Sequence, residues 1–86
     1  MRLKKGYVLR EVADTWVILP LYGVDLNGMI KVNESGAMLW RGMEQGVDEN
    51  ALVKALTDKY EVSAEQAKED VQSFLQRLHR LGCLEE

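Results

Sequence analysis

The hydrophobic pattern of the chain changes its period at Asn33, and this change limits the folds that are open to it. Before Asn33 the apolar residues lie in short runs that alternate or are rich in β-branched side chains, which is typical of strands. After Asn33 they recur about every 3.6 residues, as on one face of a helix. The sequence therefore predicts a sheet followed by helices, which is an α+β fold.

Three antiparallel strands are predicted in the first part of the chain. Tyr7–Val12 and Thr15–Pro20 are rich in β-branched and aromatic residues, and the link Ala13–Asp14 has hairpin length. Asn27–Gly28 is a strong signal for a type I′ turn, which would return Met29–Val32 as a short third strand. Apolar residues point to both sides of the second strand, so we expect both of its faces to be covered.

Three helices are predicted in the second part, and each prediction rests on capping residues. The residues placed to cap the three helix starts are Asn33, Asp48 and Ser63. Ser63 and Gln66 form a capping box, in which the Gln66 side chain is expected to return to Ser63. We expect Gly46 to end the first helix and Gly82 to end the third. A three-stranded antiparallel sheet followed by three helices is winged helix-turn-helix-like.

Length and composition predict one domain over residues 1–86. A chain of 86 residues, 47% hydrophobic and 29% charged, has apolar surface for one core and the balance of an ordinary globular protein. Cys83 is the single cysteine, so an intrachain disulfide is excluded and a reducing compartment is favoured. A signal peptide and a run of roughly 18 apolar residues are both missing. We therefore expect a cytoplasmic protein with no membrane partner.

The sequence offers no set of residues for catalysis or for a metal. His79 and Cys83 are the only histidine and cysteine, so they cannot by themselves supply the three or four ligands of a zinc site. A nucleophilic Cys83 would need a base and an orienting group, and only His79 is available as the base. A glycine-rich phosphate loop is also missing. We expect neither an enzyme nor a cofactor.

Two elements with exposed surface are candidates for binding a partner. Met29–Val32 is predicted to lie at a sheet edge, where unpaired N–H and C=O groups can accept another extended chain. The third helix carries charges of both signs beside its apolar stripe. An edge strand next to such a helix forms a groove. A core role for Met29, Phe74 and Leu78 would explain the same pattern.

Several segments of the chain resemble one known family. Val32–Trp40 is similar to the start of the first helix in the family of the pyrroloquinoline quinone biosynthesis protein D, the PqqD-like family. Tyr7–Val12 resembles that family's first strand. Glu69–Leu75, together with Gly82–Leu84, resembles its last helix and the segment that follows it. The resemblance extends from about Leu3 to Leu84.

The resemblance implies a peptide chaperone, or precursor-peptide recognition element, for ribosomally made and modified peptides (RiPPs). Such domains bind the leader segment of a precursor peptide as a strand added to the third strand, in the groove beside the third helix. They present the rest of the peptide to a modifying enzyme, often a radical S-adenosylmethionine (SAM) protein, which we expect to act in trans. The implied peptide-binding residues are Met29, Ile30, Lys31, Val32, Asp70, Phe74, Arg77 and Leu78.

Two other functions are compatible with this sequence. A winged-helix domain could bind DNA, which requires a cluster of basic residues on one face. Here the helical part has more acidic than basic residues, and its cations are spread out, as Lys54, Lys68 and Arg80 illustrate. The chain could instead be a self-associating protein-interaction module, and an edge strand that accepts a leader peptide could also form a weak homodimer. Salt-dependent binding to duplex DNA, or a dimer without affinity for any leader, would favour these alternatives.

Overall fold

The fold consists of a small antiparallel sheet followed by three helices, and a computed structural model describes residues 2–21 and 29–85 of it. The elements are β1 (Arg2–Leu3), β2 (Tyr7–Val12), β3 (Thr15–Pro20), β4 (Ile30–Val32), α1 (Glu34–Glu44), α2 (Glu49–Lys59), α3 (Ala64–Arg80) and β5 (Leu84–Glu85). Strands β2, β3 and β4 pair in that order, and all their pairings are antiparallel. The predicted α+β class and its winged-helix-like arrangement are confirmed.

The hairpin between β2 and β3 turns through the two residues that the sequence predicts. Ala13 and Asp14 have φ values of 49° and 67°. Positive φ at both positions is the signature of a type I′ turn, whose twist matches that of the flanking strands. The turn places Val12 opposite Thr15 and fixes the register of the whole hairpin.

The third predicted strand is β4, and it is shorter than expected. It contains Ile30–Val32, whereas Met29 precedes it and is 42% exposed. The turn predicted at Asn27–Gly28 lies outside the described residues. Within the described part of the chain, β4 pairs with β3 alone, so its other side is an open edge of the sheet.

Each helix begins at the predicted cap. Each cap side chain accepts a hydrogen bond from the backbone N–H three residues ahead. Asn33 accepts from Gly36 at 2.8 Å, Asp48 from Ala51 at 2.8 Å, and Ser63 from Gln66 at 3.0 Å. The second half of the predicted capping box is wrong. The Gln66 amide donates forward to Asp70 Oδ1 at 2.8 Å instead, because side chains four residues apart are neighbours on a helix surface.

Glycines end α1 and α3 at the predicted positions. Gly46 and Gly82 have φ values of 81° and 79°, a backbone conformation that side chains disfavour. After α3, the Gly82 N–H donates to the His79 carbonyl at 3.1 Å and the Cys83 N–H donates to the Leu78 carbonyl at 2.9 Å. These two bonds form a Schellman motif, which turns the chain away from the helix axis.

The core lies between one face of the sheet and the three helices. Its largest fully buried side chains are Trp40, Ile18, Leu52, Leu78, Val71 and Cys83. Val17, the neighbour of Ile18 on β3, points to the opposite face of the sheet and is buried as well. The expectation that this strand is covered on both faces is thus confirmed for its central residues.

A second, two-stranded sheet was not predicted. In it β1 pairs antiparallel with β5, with Arg2 opposite Glu85 and Leu3 opposite Leu84. The Lys4 N–H continues this pairing with a hydrogen bond of 2.8 Å to the carbonyl of Cys83. Strands of two residues are too short to show a hydrophobic period, so no local signal marks them.

Cys83 and Tyr7 make the stability of the fold sensitive to alkaline pH. Burial raises the pKa of the Cys83 thiol above its ordinary 9.0, against the smaller opposing effects of a hydrogen bond with Tyr7 and the charge of Lys4. Burial, and then the neighbouring Cys83, raises the pKa of Tyr7 above 10.0. The unfolded chain therefore ionises first. The stability that these groups contribute is complete below about pH 9 and is lost as the pH rises beyond it.

We expect the free energy of unfolding, measured in urea, to fall between about pH 9 and pH 11, with a slope of at most about 1.4 kcal/mol per pH unit from Cys83. The variant Cys83→Val fills similar space without a titrating group and should show a smaller slope over the same range. Equal slopes for the two proteins would show that the buried thiol does not cause the effect.

Candidate functional site

The backbone of Lys31 is directed out of the sheet, towards the open edge of β4. In a two-residue type I′ hairpin, the residues that flank the turn exchange backbone hydrogen bonds. The backbone N–H and C=O groups of Thr15 therefore bond to β2, and by alternation so do those of Val17. The backbone groups of Trp16 and Ile18 bond to β4. Because Val17 lies opposite Lys31, the Lys31 N–H and C=O are left pointing away from β3.

Arg77 of α3 already contacts this outward backbone. Its Nη2 donates a hydrogen bond of 2.7 Å to the Lys31 carbonyl oxygen, and this bond links the edge strand directly to the helix. Ile30 and Val32, on either side, are buried, and the Lys31 side chain is exposed. The strand therefore turns its apolar residues towards the core and the Lys31 side chain outward.

A groove runs between β4 and α3 and consists of two depressions that meet at Arg77. The first, named here the α1 depression, has a volume of about 370 Å³, and its wall includes Val32, Ser35, Gly36, Asp70, Phe74 and Arg77. The second, named the cationic depression, has a volume of about 400 Å³, and its wall includes Met29, Ile30, Lys31, Arg77, Arg80 and Leu81. Both open to solvent along the free edge of the sheet.

The structure brings most of the predicted binding residues to this groove. Those that line it are Met29, Ile30, Lys31, Val32, Asp70, Phe74 and Arg77. Leu78 lines neither depression and has an exposed fraction of 0%. Its position on the helical period turns it to the core together with Val71, whereas Phe74 lies where the core meets the groove.

The set of peptide-binding residues implied by the family resemblance left out several residues that line the groove. They include Ser73 and Arg80 on α3, Leu81 at its C-cap, and Tyr7 and Pro20 on the hairpin. The helix residues lie three or four positions from Arg77, so helical spacing was a usable signal for them. Tyr7 and Pro20 are opposite each other in the β2–β3 register. No local signal places that pair beside α3, because their position depends on how the sheet packs.

The start of α1 forms one wall of the groove, and Gly36 allows it to approach α3 closely. Asn33 Oδ1 holds this turn by accepting the Gly36 N–H at 2.8 Å and the Ser35 hydroxyl at 2.9 Å. A Cβ atom on Gly36 would lie 3.1 Å from Val32 Cβ and 3.4 Å from Phe74 Cε1. Glycine therefore lets the edge strand, α1 and α3 meet at this point.

The two ends of the groove differ in charge. Arg77 lines both depressions. The α1 depression also contains Asp70, whereas the cationic depression also contains Lys31 and Arg80 and, among the residues that the structure describes, has no carboxylate in its lining. Within the described residues, none of these three cations has an Asp or Glu oxygen within 4.0 Å. Exposed Met29 and Leu81 lie among them. This end can accept a group that is both acidic and partly apolar.

The arrangement is suited to holding an extended chain. It combines an outward-facing backbone, which can exchange hydrogen bonds with an added strand, and depressions that can take alternate side chains. Over residues 2–21 and 29–85, no group of three or more His, Cys, Asp and Glu side chains is placed to hold a metal ion. None of the helices in the described part of the chain combines the length and apolar character needed to cross a bilayer.

The fold and the groove define a small winged-helix-like domain with an open sheet edge beside its last helix. A family model described as coenzyme PQQ synthesis protein D (PqqD) matches residues 15–84, and the chain belongs to this family. The family resemblance noted in the sequence is thereby confirmed. The match begins at Thr15, so the similar segment Tyr7–Val12 lies outside it. No curated protein shows significant similarity to the chain.

Two solved structures share this fold over nearly their whole length. TbiB1, solved in complex with the TbiA(β) leader peptide, superposes with a TM-score of 0.81 at 24% identity, covering 99% of this chain and 95% of that one. Lasso peptide synthetase B1, complexed with the leader peptide, superposes with a TM-score of 0.79 at 20% identity, covering 95% and 93%. At these identities the similarity shows the fold.

Proposed function

We propose that this protein is a non-catalytic chaperone that binds the leader segment of a ribosomally synthesised precursor peptide by adding it as a strand to the outer edge of β4. The observation that carries the proposal is the outward backbone of Lys31 beside an open groove. Membership of the PqqD family supports it. So does the likeness to TbiB1 and lasso peptide synthetase B1, both solved with a leader peptide.

The added strand would exchange backbone hydrogen bonds with Lys31, and its alternate side chains would point into the groove. The residues proposed to form the binding surface are Met29, Ile30, Lys31, Val32, Asp70, Phe74 and Arg77. Leu78 would act indirectly, because it supports α3 from the core. Backbone pairing tolerates many sequences, so the depressions would supply the selectivity.

A modest affinity follows from the small size of the edge. Ordering a flexible peptide costs roughly 2 to 5 kcal/mol, which favours dissociation constants between about micromolar and tens of nanomolar. The bound leader would leave the rest of the precursor free for a modifying enzyme in trans, in this proposal a radical SAM protein. Without peptide, the same edge could pair with a second copy and give a weak homodimer.

The test is an NMR titration of isotope-labelled protein with the leader half of a precursor encoded beside its gene. The amide of Lys31 should become protected from hydrogen exchange on binding, because it alone among Ile30, Lys31 and Val32 is unpaired in the free sheet. Shifts should appear along β4 and the groove side of α3 and saturate at micromolar peptide. The core half of the same precursor is the control. Unmoved signals with the leaders of all neighbouring precursors would refute the proposal.

A further inference from the structure

The free edge of β4 is not empty in this structure, because Arg77 occupies part of it. The Arg77 guanidinium donates to the Lys31 carbonyl at 2.7 Å. This carbonyl is the acceptor that an added strand needs, since it faces outward between two residues that pair with β3. A peptide that joins the edge must therefore compete with Arg77 for one oxygen atom.

A displaced Arg77 side chain has no acidic partner of its own in the cationic depression. The other charged residues in its lining are the cations Lys31 and Arg80, and among the described residues no carboxylate lines it. Asp70 lines the α1 depression, as Arg77 also does, but its Oδ1 already accepts a hydrogen bond from Gln66 at 2.8 Å and it forms no ion pair with Arg77. Releasing Arg77 would remove the carbonyl acceptor of its guanidinium and leave that cation beside Arg80 without an anionic partner among the described residues of this depression, which is unfavourable.

We propose that Arg77 is an exchangeable cap on the sheet edge, and that it selects peptides that carry a carboxylate at the position facing Arg77 and Arg80. The incoming backbone N–H takes over the Lys31 carbonyl, and the carboxylate of the peptide receives the released guanidinium. Arg77 suits this exchange because its planar group can bind either a carbonyl or, with two parallel bonds, a carboxylate. The inference rests on the proposed function and adds the charge of the preferred peptide to it.

The cap itself can be tested in the free protein, without any peptide. Arg77→Met keeps an unbranched side chain that resembles the stem of arginine and removes the guanidinium with its donors. It should shift the carbonyl ¹³C resonance of Lys31 in the direction of a lost hydrogen bond. Arg80→Met removes a cation from the same depression and should leave this resonance in place. An unchanged ¹³C resonance of the Lys31 carbonyl in Arg77→Met would show that Arg77 does not cap the sheet edge.

Selectivity can be tested with a displayed library of random twelve-residue peptides, selected in parallel on the wild type, Arg77→Met and Lys68→Met. Lys68 is an exposed α3 residue that lines neither depression, so its variant controls for net charge. Wild type and Lys68→Met should enrich Asp or Glu at one position by about 5-fold or more, and Arg77→Met should not. Enrichment that persists in Arg77→Met, or that is missing in the wild type, would overturn the selectivity.

A matched peptide pair completes the test. For a selected peptide, replacing its acidic residue by the corresponding amide should weaken binding to the wild type by about 5- to 10-fold and to Arg77→Met by less than about 2-fold. Equal losses on the two proteins would mean that Arg77 does not recognise the carboxylate. A library from which the wild type selects no peptide at all would instead contradict the proposed function. The carbonyl measurement on the free protein is independent of that outcome.

Discussion

Replacing Lys31 with proline is expected to weaken leader binding by about 10- to 100-fold while the fold survives. Proline lacks the N–H that an added strand would use, and a partner carbonyl left without its hydrogen bond costs about 1 to 3 kcal/mol. The native sheet does not use this N–H, because the Lys31 backbone faces the open edge. Proline is tolerated on an edge strand in that orientation. Calorimetry with the leader peptide and urea unfolding would measure the two effects separately.

Two matched variants separate backbone pairing from side-chain and folding effects. Lys31→Ala keeps the N–H and should bind the leader nearly as well as the wild type. Val32→Pro removes an N–H that pairs with Trp16, so it should destabilise the protein. Equal affinities of Lys31→Pro and Lys31→Ala would rule out strand addition at this edge. A Lys31→Pro protein as unstable as Val32→Pro would show that the Lys31 backbone belongs to the native ladder.

Replacing Leu78 with alanine is expected to lower the free energy of unfolding by about 2 to 5 kcal/mol, a large fraction of the stability of a domain of this size. Leu78 is fully buried on the core side of α3. Truncation would leave a cavity beneath the helix that lines the groove. Affinity per folded molecule should remain close to that of the wild type, because the side chain lines neither depression.

Urea unfolding of three variants would test this assignment. Leu78→Met conserves most of the volume and should cost less than about 1.5 kcal/mol. Gln76→Ala, at an exposed site on the same helix, should change the stability by no more than about 0.5 kcal/mol. A Leu78→Ala protein that keeps its stability but loses the peptide would place Leu78 in the binding surface instead of the core.

The parts of the fold that were predicted correctly are those with local causes. Asn33, Asp48 and Ser63 cap helices through bonds that span three residues, and the Gly82 turn involves the last turn of one helix. The Gln66 side chain could pair with Ser63, three residues before it, or with Asp70, four residues after it. The arrangement of side chains on the helix surface, which the sequence does not show, favours Asp70. The pair of β1 with β5 joins segments that have no sequence pattern in common.

In the candidate site too, features with local causes were predictable from the sequence, and features that depend on packing between distant residues were not. The hydrophobic period of α3 places Phe74 and Leu78 on one stripe, but it does not say which of them lies at the edge of that stripe. Packing against the sheet makes Phe74 a wall of the groove and buries Leu78 completely. The edge position of β4 was predictable from the order of the strands. The contact of Arg77 with Lys31 was not predictable, because it joins residues 46 positions apart.

The pairing of β1 with β5 also has a consequence for the order of folding. It closes a loop that contains nearly the whole described chain, and the entropy cost of closing a loop grows with its length. Two short strands gain too little to meet that cost before the helices and the larger sheet have brought them together. We therefore expect this pair to form last and to open first. Cys83, next to β5, would then become exposed in a local opening while the groove on α3 is still intact.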